Sequence, residues 1–306
     1  MIIKVSKDLK KQQIWANGVE LASIMGKDRQ QGKRMITYPD SKKTFVTEFK
    51  NPVLMTDTYK ISQHKPTLRD TLFSLYNNKP RIVEYDGVNT FWDDSHINVW
   101  CPSIDTILMA KAIGKILKKN PKIKTVIEIG CGSGFISKYI LAKGNNITSI
   151  LINDINPYAI KSAKDNIKDK RAKFILGNGI KMIQNKNFDL IICNPPYIPR
   201  PNSIDDNPYE GIGLLKYLLH NGQNHLNPNG YLVTNISNLC EKQVLSIKPQ
   251  MSIKKVETMK VPLKVNNILN NSNWVNYLVQ KCGLEKTLKQ GYEYWQRIDI
   301  VALKNK

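Results

Sequence analysis

Residues 124–141 read as a strand, a glycine turn and a helix in immediate succession, the opening unit of an α/β fold. Lys124-Thr125-Val126-Ile127-Glu128-Ile129 is short, apolar and β-branched, the pattern of a buried strand. It runs into Gly130-Cys131-Gly132-Ser133-Gly134, after which Phe135 to Leu141 has helical spacing. Glycines at such a turn let the backbone approach a ligand that a Cβ would push away. Tight βα turns also use glycine for structural reasons, so the loop alone names no ligand. The spacing is Gly-x-Gly-x-Gly, with Phe135 where a dinucleotide fingerprint has its third glycine. That argues against a nicotinamide or flavin site.

Three further strand ends add chemistry. Thr148 to Ile152 is followed by Asn153-Asp154-Ile155-Asn156-Pro157. Asp154 falls where a doubly wound fold places the carboxylate that accepts from ribose hydroxyls. Its other role is to cap the next helix, which Pro157 can open, although Asn156 is the better cap. Ala172 to Leu176 ends at Gly177-Asn178-Gly179, where Asn178 either touches an adenine ring or forms the turn. The apolar run Phe188 to Cys193 ends in Asn194-Pro195-Pro196-Tyr197. Proline fixes φ and carries no N–H, so this strand end offers rigid acceptors without a competing donor. Two acceptors and an aromatic ring suit a flat –NH2 group on an amide or a nucleobase.

Together these parts resemble the S-adenosylmethionine-dependent methyltransferases of the seven-stranded α/β type. Glu128-x-Gly130-x-Gly132-x-Gly134 matches their first motif and Asp154 their ribose-binding acid. Asn194-Pro195-Pro196-Tyr197 matches their amino-methylating branch, within which the chain looks most like the HemK type, methylating a glutamine amide of translation release factors. Pro102-Ser103-Ile104-Asp105-Thr106, the run Asp154 to Ala159 with Ala163 and Asn166, and Glu210 to Leu215 also follow that pattern, so the resemblance covers residues 98–245. It implies a Rossmann-like sheet, S-adenosyl-L-methionine as cofactor, and a cofactor site at Glu128, Gly130, Cys131, Gly132, Gly134, Asp154, Asn178 and Asn194. Catalysis falls to Asn194, Pro195 and Tyr197. Two departures stand out. Asn178 replaces the family's Asp, and residues 1–97 do not read as the helical bundle that grips a release factor.

The chemistry expected of such a site is in-line methyl transfer to a nitrogen. An amide or aryl amine is a poor nucleophile because its lone pair is delocalised. Accepting one N–H at the Asn194 side-chain oxygen and the other at the Pro195 carbonyl favours a pyramidal nitrogen, and Tyr197 stacks on the planar substrate. Positive charge develops on that nitrogen, so fixed acceptors stabilise the transition state more than the ground state. No base is needed before attack.

Mean hydropathy of −0.37 and 41% hydrophobic residues indicate a soluble globular chain. No run approaches the ~18 apolar residues of a membrane span. The start has no apolar signal core, and the five cysteines are scattered without a C-x-x-C pair. Both features suit the cytoplasm and neither a disulfide framework nor a metal site. Cys131 and Cys193 read as buried thiols, His220 and His225 as surface residues. The net charge is +21, with 39 of the 46 basic residues lysine and only 25 acids. Lysine-rich codon usage accounts for the lysines but not for the scarcity of acids. Such an excess attracts polyanions such as RNA, DNA or the ribosome. Basic clusters fall at Lys7-Lys10-Lys11, at Lys27-Arg29-Lys33-Arg34, and on two core helices around Lys115–Lys124 and Lys161–Arg171.

The sequence divides into an accessory, substrate-recognition region of mixed α/β character (residues 1–97) and a methyltransferase domain (98–306). In the first, residues 19–25 and 68–76 are expected to be helical, and 44–49 and 82–85 to be strands ended by Asp86-Gly87 in the latter case. Trp92 and Trp100 flank the domain entry, where they either stack on a substrate base or pack in the core, the second being the expectation. Later come a helix over 210–226, a strand over 231–236, an antiparallel pair at 252–261 and 294–303 that closes the sheet, and an insertion at 266–290 with Trp274, Tyr277 and Leu278 at helical spacing. Arg200, Asp205 and Asp206 are expected to shape a lid over the catalytic loop. The substrate expectation is a glutamine amide in a release factor or ribosomal protein, or an exocyclic amine of RNA or DNA. A non-catalytic nucleic-acid-binding module is the third reading; it has no need to keep both the glycine loop and Asn194-Pro195.

Overall fold

The computed structural model describes residues 2–5, 14–16, 19–22, 32–37, 44–49, 81–92, 96, 98–102, 104–202, 210–247, 251–263, 265–269, 271–289 and 292–304. The chain divides into two compact units, one of residues 1–95 and 260–296, the other of 96–259 and 297–306.

The first unit opens with short strands. β1 (Ile2–Val5), β6 (Arg81–Tyr85) and β7 (Val88–Trp92) form a three-stranded sheet, and β2 (Ile14–Ala16) with β3 (Val19–Ala22) and β4 (Gly32–Thr37) with β5 (Thr44–Phe49) form antiparallel pairs. Of the helix expected over 19–25, residues 19–22 form a strand and 23–25 lie outside the described residues: Val19-Glu20-Leu21-Ala22 alternates with period two as well as it fits a helical turn, and pairing with β2 decides. The helix expected over 68–76 lies outside the described residues, as do Lys7, Lys10, Lys11, Lys27 and Arg29. Asp86 (φ 52°) and Gly87 (φ 78°) turn β6 into β7, as the Asp-Gly pair requires. Trp92 is half-buried.

The second unit carries the site. Its elements run α1 (Ile104–Lys119), β8 (Thr125–Ile129), α2 (Phe135–Lys143), β9 (Ser149–Asp154), α3 (Pro157–Asn166), β10 (Ala172–Leu176), α4 (Gly179–Ile183), β11 (Phe188–Cys193), α5 (Gly213–Asn221), β12 (Leu226–Ser237), α6 (Glu241–Leu245) and most of β13 (Ser252–Pro262). The chain then gives α7 (Asn266–Leu269), α8 (Ser272–Cys282), β14 (Glu285–Lys289) and β15 (Tyr292–Lys304), whose second half returns to this unit. Sheet order is β10-β9-β8-β11-β12-β15-β13, the seven strands expected, with β14 as an eighth pairing beside β15. β8 to β12 are parallel to their neighbours; β15 runs antiparallel to β12. The order reverses at β8, whose neighbours are β9 and β11. Ligands of open α/β sheets bind outside the strand carboxyl ends at such a reversal.

One face of the sheet packs Ile127, Ile129, Ile191, Cys193, Leu232 and Val301 against Leu215, Leu218 and Leu219 of α5. The other face meets α1 and α2: Tyr231 donates to Asn120 Oδ1 just past α1 (2.9 Å), and Glu128 meets Ser137 of α2. α5 stops at Asn221 and a 3-10 turn (Gly222–His225) replaces the last part of the helix expected to reach 226. A Cβ on Gly222 would stand 2.9 Å from Leu232 Cδ2, so the turn lies tight against the sheet there. His220 is exposed and His225 half-buried. In α8, Trp274 and Leu278 are buried, Asn271 caps the first turn, and Gly283 (φ 77°) ends it. Among the described residues, no helix is long and apolar enough to cross a membrane, no group of His, Cys, Asp and Glu could hold a metal, and all five cysteines are free.

Candidate active site

Strand register sets the site. Ile129 lies opposite both Asn153 and Cys193, and Cys193 opposite Thr234. One residue further on, Asp154, Gly130, Asn194 and Asn235 therefore follow one another across the carboxyl edge of β9, β8, β11 and β12. Strand alternation turns the side chains of this row to the face shared with Glu128 and Tyr231, where α1 and α2 lie.

The glycine turn is held open from behind. Gly130 and Cys131 donate N–H to Asn153 O (both 2.9 Å), and the Asn153 side-chain amide donates to Ile175 O and Gly177 O. Asn153 thus ties three strand ends together; nothing in its spacing marked it beforehand. Gly130, Gly132 and Gly134 all have positive φ (74°, 52° and 82°). A Cβ on Gly130 would meet nothing within 4 Å, and one on Gly132 only Trp100 O at 4.0 Å, so the loop borders open space. Gly134 differs: there a Cβ would press to 3.0 Å on Ala163 and Ile167 of the neighbouring helix region.

Asp154 joins the loop to the next helix. Its Oδ2 accepts from Gly132 N (3.0 Å) and its Oδ1 from Asn156 N (2.9 Å). A carboxylate has about four lone-pair sites, and with the Ile155 N–H also directed at it, one remains for a hydroxyl donor. Burial pushes the carboxyl above its ordinary range, while the N–H groups of Asn156, Gly132 and Ile155 pull it back. Asn156 caps α3 by accepting from Tyr158 N, with Pro157 at the first helical position. Ile155 is 48% exposed and Leu176 54%. Two apolar side chains left in water at the cofactor edge suit the flat face of a base, and composition alone did not single them out.

Glu128 lies deeper. It is 1% exposed, and its Oε2 accepts from Ser137 N (2.9 Å) and Ser137 Oγ. It anchors the first turn of α2, and burial raises its pKa to about 8 despite the Ser137 hydrogen bonds. Cys131 and Cys193 are buried thiols, both pushed upward by burial. Asn178 is exposed, and its Oδ1 caps α4 by accepting from Ile180 N (2.9 Å).

Asn194 is fixed by a partner from the segment around α1. Its Nδ2 donates to Asp105 Oδ2 (3.3 Å). A carboxylate can only accept, so the amide's nitrogen must face Asp105 and its oxygen must face away. That oxygen is shielded and has no hydrogen-bond partner among the described residues. Pro195 is buried; Tyr197 is half-buried and packs on the core cluster. Arg200 pairs with Glu210 (2.7 Å) across the ends of the following loop, while Asp205 and Asp206 lie outside the described residues. Trp100, expected in the core, is 61% exposed: its neighbour Val99 fills the apolar slot, and the Trp100 carbonyl rests by Gly132.

Residues 106–261, just over half of the chain, match the family model described as methyltransferase small domain. The chain belongs to this family. A Methanocaldococcus jannaschii protein named for protein N5-glutamine methyltransferase activity is 30% identical over 203 residues, covering 62% of this chain and 98% of that one. The release factor glutamine methyltransferase of Aquifex aeolicus is 29% identical over 143 residues, 40% of this chain and 50% of that protein. The crystal structure of Methanocaldococcus jannaschii Trm5 with adenosine aligns at a TM-score of 0.45 with 16% identity, covering 74% of this chain and 56% of that one. The chain is an S-adenosylmethionine-dependent N-methyltransferase of Rossmann-like fold. The cofactor fits the residues present: Asp154 keeps an acceptor site free, the glycine loop faces space without a Cβ, and Ile155 offers an apolar ledge.

Proposed function

We propose that this methyltransferase modifies a planar –NH2 nitrogen, with a glutamine amide in a translation factor or ribosomal protein as its leading substrate. The observation that carries this is the Asn194 side-chain oxygen: buried, unpartnered among the described residues, and turned away from Asp105 by the hydrogen bond at its other end. A buried acceptor without a donor is costly unless a ligand supplies one. The names of the two relatives support the amide.

When bound, S-adenosyl-L-methionine supplies a methyl group on a sulfonium. Asp154 would hold the ribose, the backbone of Gly130, Cys131, Gly132 and Gly134 would admit the amino-acid end, Glu128 keeps α2 in place behind them, and Asn178 would offer its amide N–H to the adenine. Asp105 orients Asn194. Asn194 Oδ1 and the Pro195 carbonyl each accept one substrate N–H, which turns the nitrogen lone pair toward the methyl, and Tyr197 lines the planar group. Holding both reactants in that geometry is worth ~7–11 kcal/mol of barrier. Transfer would break the sulfur–methyl bond and leave a neutral thioether, and the cationic nitrogen would then lose its proton to water, so no base acts beforehand.

Asp154→Ala is expected to weaken cofactor binding about tenfold or more, the scale of losing hydrogen bonds to a charged group, with a smaller change in single-turnover rate at saturating cofactor. Calorimetric titration measures it; an unaltered dissociation constant removes Asp154 from the ribose site. A nucleic-acid amine is the second reading, favoured by the net charge of +21. Incubation with methyl-labelled cofactor and cell extract treated with either RNase or protease separates the two. Label in the RNase-treated extract and none after protease supports the amide, the reverse supports the base, and label in neither contradicts the proposal.

A further inference from the structure

The row across the sheet edge does not stop at Asn194. Its next member, Asn235 on β12, is 0% exposed, and neither its Oδ1 nor its Nδ2 has a hydrogen-bond partner among the described residues. An amide buried with both ends unpaired carries a full desolvation penalty, and such groups in folded proteins call for a ligand or a water. Position narrows the choice. Reading along the edge, Asp154 and Gly130 belong to the cofactor side, Asn194 to the acceptor, and Asn235 stands one strand beyond, about 4.8 Å further along the sheet. Cys193 pairs with Thr234, so Asn194 and Asn235 are at the same level and turn to the same face. The group that bears the target nitrogen extends away from the cofactor, and Asn235 stands on the side of Asn194 remote from Asp154 and Gly130.

We infer that Asn235 is a specificity residue, whose Nδ2 donates to the acceptor atom next to the target nitrogen: the carbonyl oxygen of an amide, or the ring nitrogen beside an exocyclic amine. This rests on the reading of Asn194 as the acceptor that holds that nitrogen. Asn194 tests for N–H donors and Asn235 for the acceptor beside them, so a simple amine satisfies only half of the site. A donor to that atom binds the resting amide at least as well as the transition state, in which the nitrogen lone pair has left the π-system. Its contribution therefore falls on substrate capture and selectivity, not on the rate at saturation.

The test compares Asn235→Leu with wild type and with Asn194→Ala, using methyl-labelled cofactor and graded dilutions of the extract that accepts label. Leucine removes the unpaired amide and keeps its branching at Cγ; its methyl groups are bulkier, so the thermal midpoint is read beside the rate to separate overpacking from lost recognition. The rate at limiting substrate should fall about 10–100-fold, the scale of one or two hydrogen bonds, while the rate extrapolated to saturation and the cofactor affinity change little. An unchanged rate at limiting substrate overturns the inference. If Asn235→Leu fails to fold, Asn235→Ala carries the same comparison; failure of both to fold also overturns it, because the amide then serves the fold. The underlying reading fails separately: Asn194→Ala would keep wild-type turnover, or the label would sit on oxygen, carbon or sulfur.

Discussion

Asn194→Ala is expected to lower turnover by roughly 10²–10³, the usual scale for removing one preorganised partner of a developing charge, with cofactor affinity nearly unchanged. The side chain is well placed to act in the transition state and poorly placed to support the fold. Its nitrogen end donates to Asp105, and its oxygen is unclaimed among the described residues. Alanine therefore deletes an acceptor that the resting protein does not use. Asn194→Asp makes the complementary case: a carboxylate facing Asp105 brings two acceptors together, so the loop loses its anchor and turnover falls too. Single-turnover rates and cofactor titration for both variants check this. Equal losses in rate and in cofactor affinity would make Asn194 a structural residue.

A second large effect concerns stability and pH. Glu128 has its pKa raised to about 8, first by burial and against the two hydrogen bonds from Ser137. Below its unfolded pKa near 4.5 the group is protonated in both states and its contribution is complete. Between that value and about 8 the folded chain holds a proton that the unfolded chain releases. Stability must then fall as pH rises, by up to ~1.4 kcal/mol per pH unit, and the loss ends above the folded pKa. Glu128→Gln removes the proton but keeps an acceptor for Ser137. In urea unfolding at pH 5, 7 and 9, the wild type should lose a few kcal/mol relative to the variant across the series. Parallel curves would show that Glu128 is ionised in the fold.

Much of this was legible beforehand because several signals were local. The glycine turn, Asn156-Pro157 at the start of α3 and Asn194-Pro195 after β11 each depend on residues next to one another in the chain, and the structure places all of them at one sheet edge. What could not be read was long-range. Asp105 and Asn194 are 89 residues apart, so the hydrogen bond that fixes the amide needs α1 in place. Asn153 looked like any strand end until its side chain was seen crossing to Ile175 and Gly177. Asn235 sat unnoticed in an apolar strand because only parallel register brings it beside Asn194. Residues 19–22 show the opposite failure: a four-residue apolar alternation carries too little pattern to separate a helix turn from a strand, and the partner β2 settles it.

Crystals grown with the methyl donor and solved at atomic detail address the core of the account most directly. The donor's ribose should rest on Asp154, and its methyl should face a point ~3–3.5 Å away that lies within hydrogen-bond reach of both Asn194 Oδ1 and the Pro195 carbonyl. A methyl aimed elsewhere, or an Asn194 oxygen swung into a packing contact, would contradict it.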